Sequence, residues 1–125
     1  MGHGIALEFA ASRRSVLLHD ISQDLLEEAM QRARVGLLAM AQSDRLTDGE
    51  IDSALMRITT TTDLAESVRK ADLVIEAVSE DLDLKRSIFR QIDTSAPQQA
   101  ILASNTSTFL PGAIASATSR PEQVA

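Results

Sequence analysis

Short apolar runs alternate with longer amphipathic stretches along this chain. Residues 16–18 (Val-Leu-Leu), 73–78 (Leu-Val-Ile-Glu-Ala-Val) and 100–103 (Ala-Ile-Leu-Ala) are blocks of strand length. Nearly continuous apolar character is the mark of strands covered on both faces of a parallel sheet. Residues 58–60, which lead into a run of four threonines, predict a weaker strand. Between the blocks the spacing turns helical. Ile5, Ala6, Phe9 and Ala10 predict a helix over 4–11, ended by Arg13-Arg14. Ile21, Leu25, Ala29, Ala33, Leu37 and Met40 form one stripe of a long helix, with Ser22 as its N-cap and an end near Ser43. Thr47-Asp48-Gly49-Glu50 ahead of Ile51 and Leu55 is a capping box that opens a helix of about ten residues. A one-to-two-turn helix is expected over 63–67, capped by Thr62 or Asp63. Another is expected over 82–92, with Lys85, Ile88, Phe89 and Ile92 at helical spacing. Pro111 opens a short helix, Arg120-Pro121 closes it, and Gln123-Val124-Ala125 approaches one more strand. The order α-β-α-α-β-α-β-α-β-α predicts an α/β fold with a doubly wound parallel sheet. Such folds begin on a central strand, whereas this chain opens on a helix, so the first strand is expected to be lacking.

Composition narrows the functional classes. The 125 residues suit one domain, and 44% apolar with 24% charged residues is ordinary globular usage. Without cysteine there is no disulfide, thiolate metal site or thiol nucleophile, which fits a reducing, cytoplasmic setting. A formal net charge of −6, no basic cluster, and three Phe as the sole aromatics argue against a nucleic-acid partner. No apolar run has the roughly 20 residues of a membrane span, so no membrane partner is expected. His3 and His19, the two histidines, stand far apart among scattered carboxylates, so no metal site is expected.

Ligands of doubly wound folds bind beyond the carboxyl ends of the strands. Asp20, Glu80 and the polar stretch 104–107 (Ser-Asn-Thr-Ser) all fall there. An acid at the end of such a strand accepts hydrogen bonds from a ribose diol and repels a 2′-phosphate. Glu76 lies inside an apolar strand, where a carboxylate needs a partner, and a backbone amide or a basic residue is the expected one. Asp81 and Asp83 read as solvated or first-turn acids, and Arg32, Arg34 and Arg45 as a solvated face before a phosphate-binding one.

Several segments together resemble the NAD-dependent L-3-hydroxyacyl-CoA dehydrogenases, including the 3-hydroxybutyryl-CoA dehydrogenases. Residues 1–6 (Met-Gly-His-Gly-Ile-Ala) resemble the end of the family motif G-x-G-x-M-G-x-G-I-A. Residues 72–80 resemble the family's A-D-L-V-I-E-A-V-x-E, residues 103–107 match A-S-N-T-S, and Arg120-Pro121 fits the R-P before the next strand. The resemblance implies a Rossmann-type NAD-binding domain with NAD as cofactor, an acyl-CoA substrate and a homodimeric parent. It implies that Gly2 is the third fingerprint glycine, where helix meets strand, and that Asp20 holds the adenosine ribose. Ala77 and Val78 would line the cofactor cleft, Glu80 and Lys85 would contact NAD, and Asn105 and Ser107 would lie near the nicotinamide. Ser107 would be the catalytic-centre residue that contacts the substrate oxygen. The departures are equally specific. The first two fingerprint glycines are lacking, Arg14 or Ser15 replaces the glycine before the strand at 16–18, and the family's catalytic His and helical C-terminal domain would lie beyond Ala125. Residues 1–125 therefore read as a partial domain, expected to be inactive alone. Two other readings remain: a related NAD-dependent dehydrogenase of a non-CoA hydroxy acid, and a non-catalytic receiver-like module, which would need an acidic cluster absent here.

Overall fold

The structure is a computed structural model that describes residues 1–125. The chain divides into two compact units, Met1–Asp63 and Leu64–Ala125.

In the first unit, helix α1 (Gly2–Ala11) precedes strand β1 (Val16–His19). Helices α2 (Gln23–Gln42) and α3 (Asp48–Met56) lead to strand β2 (Ile58–Thr61), which pairs with β1 in parallel from Val16↔Ile58 to His19↔Thr61. The long helix starts where its cap predicts, with the Ser22 hydroxyl accepting the Leu25 N–H at 3.4 Å. Its buried stripe, however, is Leu26, Ala33, Leu37 and Met40 rather than the stripe drawn through Ile21 and Leu25. Ile21 lies before the first helical residue and is 89% exposed, so the stripe begins one position later, at Leu26. Helix α3 has the predicted capping box: the Glu50 carboxylate accepts the Thr47 N–H at 2.9 Å. That bond, with the Thr47 hydroxyl, holds the Glu50 carboxyl below its ordinary value.

Helix α1 begins at Gly2, one half-turn earlier than the apolar spacing indicates, with the Met1 carbonyl accepting the Gly4 and Ile5 N–H groups at 3.0 and 3.2 Å. Its end is a Schellman motif. Arg13 N–H donates to Ala10 O at 3.1 Å, Arg14 N–H donates to Phe9 O at 3.0 Å, and Arg13 takes φ 63°. The position that favours glycine before β1 is thus Arg13, not Arg14 or Ser15. Helix α2 ends the same way at Asp44, with φ 58°. Close helix–helix approach falls on Gly36 of α2, where a Cβ would meet Leu7 Cδ2 of α1 at 2.7 Å. A Cβ on Gly2 would meet Leu18 Cδ1 of β1 at an ordinary 3.7 Å.

In the second unit, α4 (Leu64–Val68) precedes β3 (Leu73–Glu76), α5 (Leu82–Ser95), β4 (Ile101–Ser104) and α6 (Pro111–Ala115). Strands β3 and β4 are parallel, from Leu73↔Ile101 to Glu76↔Ser104. On its other side β4 is bridged in parallel by Val124, with Ala125 N–H donating to Leu102 O at 2.9 Å, so the expected strand approach at 123–125 is present. The first unit thus holds the β1–β2 ladder and the second the β3–β4 ladder. Strand β3 stops at Glu76, two residues short of the apolar run. The Glu76 side chain accepts the Val78 N–H at 2.6 Å, which turns the chain out of the ladder. The core of this unit is Val68, Phe89, Ile92, Ala96, Ala100, Leu102 and Ile114.

Helix α5 continues to Ser95, beyond its expected end, because Arg120 holds its last turn. Arg120, 3% exposed, donates from Nε to Asp93 Oδ1 at 2.7 Å and from Nη2 to Asp93 O at 2.8 Å and Ala96 O at 3.2 Å. It also donates to Pro97 O. Burial opposes ionisation of Asp93, but the Ser119 N–H at 2.7 Å and the Arg120 guanidinium outweigh it and hold the carboxyl below its ordinary value.

Two outcomes follow. Arg13→Gly should stabilise the protein by about 1 kcal/mol, read from urea midpoints, because a left-handed residue with a Cβ carries roughly that strain. Asp93 has a lowered carboxyl value in the folded state, so its contribution is complete above the ordinary value of 3.8 and is lost as pH falls below it. Asp93→Asn should therefore cost about 1–3 kcal/mol at neutral pH and flatten the acid limb of the stability profile. An unchanged acid limb would contradict the assignment.

Candidate functional site

At the carboxyl ends of β3 and β4 the second unit gathers most of the residues singled out by sequence. Val74 and Glu76 share one face of β3, and Glu76 is 4% exposed at the end of the strand, opposite Ser104 of β4. Its carboxylate is fully engaged. Lys85 Nζ donates to Oε1 at 2.9 Å and to Oε2 at 3.0 Å, and Ser104 Oγ donates to Oε2 at 2.6 Å. The Val78 N–H completes the set at 2.6 Å. Both partners expected for a carboxylate in this strand, a basic residue and a backbone amide, are present.

Lys85 comes from the first turn of α5, whose N-cap is Asp81: its Oδ1 accepts the Leu84 N–H at 2.9 Å. Asp81 thus has a defined capping task rather than being a merely solvated acid. Lys85 shares one helix face with Phe89 and Ile92, so its stem lies on the apolar stripe and its ammonium reaches inward. It is fully buried, and its second carboxylate neighbour is Glu80 Oε2 at 3.6 Å. Lys85 is enclosed in this structure and bears on the rim through Glu76 and Glu80.

The rim itself is polar. Glu80 accepts from the Thr106 hydroxyl, which joins the loop after β3 to the loop after β4. Thr106 Oγ1 also accepts the Thr108 N–H at 3.2 Å and the Phe109 N–H at 3.1 Å, fixing the turn that carries Ser107. Asn105 is anchored by its N–H, which donates to Glu76 O at 2.8 Å. Ala77 is half-buried, while Val78, Glu80, Asn105 and Ser107 are exposed at the loops that continue β3 and β4. Ser104 and Thr106 were legible only as members of a polar loop. Their bonding to Glu76 and Glu80 requires the register of β3 on β4, which no local pattern encodes.

Gly2 and Asp20 belong to the first unit. Gly2 opens α1, a ten-residue helix without an acid in its first turn. Asp20 directly follows β1, is half-buried, and accepts the Ser22 N–H on Oδ1 at 3.2 Å. His3 and His19 are half-buried in the same unit. Arg32 pairs with Glu28, and Arg45 pairs with Glu8 at 3.1 Å, as members of a solvated face.

Parallel strands with helical crossovers, an acid directly after β1 and polar loops after β3 and β4 define a Rossmann-like dinucleotide-binding α/β protein. A family profile described as "3-hydroxyacyl-CoA dehydrogenase, NAD binding domain" matches residues 1–125, and the chain belongs to that family. It is 35% identical over its whole length to the mitochondrial hydroxyacyl-coenzyme A dehydrogenase of Rattus norvegicus, covering 41% of that protein. It is likewise 35% identical to a probable 3-hydroxybutyryl-CoA dehydrogenase of Bacillus subtilis, over 99% of this chain and 43% of that one. Among solved structures, FadB2 of M. tuberculosis superposes with a TM-score of 0.93 at 35% identity, over 99% of this chain and 44% of that one. The chain spans about two fifths of the length of these relatives.

The residues present fit NAD. The Asp20 carboxylate has accepting capacity beyond its bond to Ser22, as a ribose diol requires. The Gly2 and His3 N–H groups precede the first helical bond of α1, which Gly4 N–H makes to Met1 O at 3.0 Å, and so have no partner within the helix, as an approaching pyrophosphate requires.

Proposed function

We infer that this protein works in the oxidation of an L-3-hydroxyacyl-CoA to the 3-ketoacyl-CoA with NAD, on short-chain substrates of the 3-hydroxybutyryl-CoA class. The observation that carries this reading is the pair of polar loops after β3 and β4, tied together by Glu80 and Thr106, with Ser107 exposed between anchored neighbours. The relatives support the same chemistry: those quoted above are named hydroxyacyl-coenzyme A and 3-hydroxybutyryl-CoA dehydrogenases. When bound, NAD supplies the acceptor for the hydride that leaves the hydroxyl-bearing carbon. The chain's own residues bind and orient. Asp20 accepts from the ribose hydroxyls, which selects NAD over NADP because a carboxylate repels a 2′-phosphate. The N-terminus of α1, opened by Gly2, would hold the pyrophosphate on its free N–H groups. Ala77, Val78, Glu80 and Asn105 border the nicotinamide end. Ser107 donates its hydroxyl to the substrate oxygen and holds it in line for transfer. The same reading includes a cytoplasmic homodimer as the working form.

Acetoacetyl-CoA-dependent oxidation of NADH by the intact protein, followed at the nicotinamide absorbance, tests the reading. Ser107→Ala should lower kcat by about 10²-fold or more, the usual effect of removing one donor from a reacting oxygen. Failure of the intact protein to bind acetoacetyl-CoA would overturn the substrate class. Asp20→Ala should weaken NADH binding about tenfold more than NADPH binding, since one well-placed charged hydrogen bond contributes on that order. Equal losses for both cofactors would remove Asp20 from the ribose role.

A further inference from the structure

Glu76 is an expensive residue where it stands. A carboxylate 4% exposed at the end of an apolar strand must recover its lost hydration from its partners. As a stabilising device the Glu76–Lys85 pair gains little, because well-packed apolar side chains serve about as well in such places. What the pair does that apolar side chains do not is fix direction. The Glu76 carboxylate takes donors from three separate elements: Val78 N–H of the loop after β3, Lys85 of α5 and Ser104 of β4. Its main-chain carbonyl takes a fourth, the Asn105 N–H at 2.8 Å. One residue thus sets the starting point of both rim loops. From there the order passes outward: Lys85 lies 3.6 Å from Glu80, Glu80 accepts from Thr106, and Thr106 holds the turn at Phe109.

We propose that Glu76 is the positioning residue of the cofactor-facing rim, fixing Val78 and the 104–107 loop through its carboxylate, with Lys85 as its buried counter-charge. The proposal rests on the dehydrogenase reading and adds to it a residue that never touches the ligand. Loss of the carboxylate leaves Val78 N–H and the Ser104 hydroxyl without their acceptor, and the two loops lose their common anchor.

The intact protein is titrated with NADH, followed by nicotinamide fluorescence, and melted in parallel. Glu76→Gln should lower both Tm and NADH affinity, because Lys85 is left buried beside a neutral amide. The informative variant is Glu76→Leu with Lys85→Met, which removes both charges at once. It should recover most of the lost Tm, as apolar replacement of a buried pair does, yet bind NADH about tenfold more weakly than the unsubstituted protein. Recovery of NADH affinity together with Tm would show that the pair is only structural and would overturn the proposal. Ser104→Ala leaves the ion pair and the fold in place whatever the double variant does. It should lower the Tm less than Glu76→Gln does and weaken NADH several-fold, and unchanged affinity there would also overturn the proposal. Failure of the unsubstituted protein to bind NADH would overturn the dehydrogenase reading itself, whereas binding retained in all variants overturns the positioning role alone.

Discussion

A single carboxylate at the end of an apolar strand constrains the second unit more than any other group. Burying Glu76 is tolerable only because every lone-pair direction is used, and the donors that use them arrive from a loop, a helix and a neighbouring strand. The requirement runs in both directions. Lys85 needs the carboxylate as much as the carboxylate needs Lys85, since a fully buried ammonium without a partner is at least as costly. Removing either one breaks the arrangement, and removing both leaves a site with no anchor for its loops.

The same logic fixes helix α5 at its two ends. Lys85 ties its first turn to β3, and Arg120 ties its last turn to the segment that leads into the Val124 bridge. The intervening Phe89 and Ile92 are buried in the apolar core. Hydrophobic burial supplies the larger share of the stabilisation, but it does not specify rotation or translation of a helix to better than a side chain's slack. Two ionic contacts about eight residues apart remove that slack. Arg120 also satisfies the orphan carbonyls that any helix leaves at its C-terminus. Helices α1 and α2 solve the same problem with left-handed Arg13 and Asp44 instead.

Much of the fold was legible because local chemistry and tertiary outcome agree. The capping box at Thr47 and Glu50, the Ser22 cap, Pro111 at a helix start and three of the four strands required nothing beyond the spacing of apolar residues and the identity of the caps. The misreadings arise where a contact other than the apolar period decides the outcome, either one distant in sequence or a side-chain bond to the backbone that competes with the ladder. Ile21 and Leu25 match the helical period but sit outside the buried face, whose origin is set by where α1 lies on α2. The end of β3 was placed two residues late because Ala77 and Val78 look like strand, while the bond from Val78 N–H to the Glu76 side chain ends the ladder. Gly36 looks like an unremarkable helical glycine until Leu7 is found 2.7 Å from its absent Cβ. For the site, the polar residues were visible as residues, and the resemblance assigned them to a cofactor. Their sorting into supporting and exposed groups was not visible, because it depends on the β3–β4 register.

That sorting follows a simple alternation along 104–107. Ser104 and Thr106 are half-buried and are spent on Glu76 and Glu80, while Asn105 and Ser107 between them are exposed. Inward and outward side chains continue to alternate through Asn105 and Thr106, the two residues between the end of β4 and the bend that begins at Ser107. A polar strand end therefore yields two sets of groups from one run of four residues. The inward hydroxyls hold the loop still, and the outward amide and hydroxyl keep their hydrogen-bonding capacity for a ligand. A Ser107 hydroxyl on a mobile loop would have to be ordered at the moment of binding, and that ordering would be subtracted from affinity. With Thr106 bonded to Glu80 on one side and to two backbone N–H groups on the other, the cost is met during folding, before any ligand arrives.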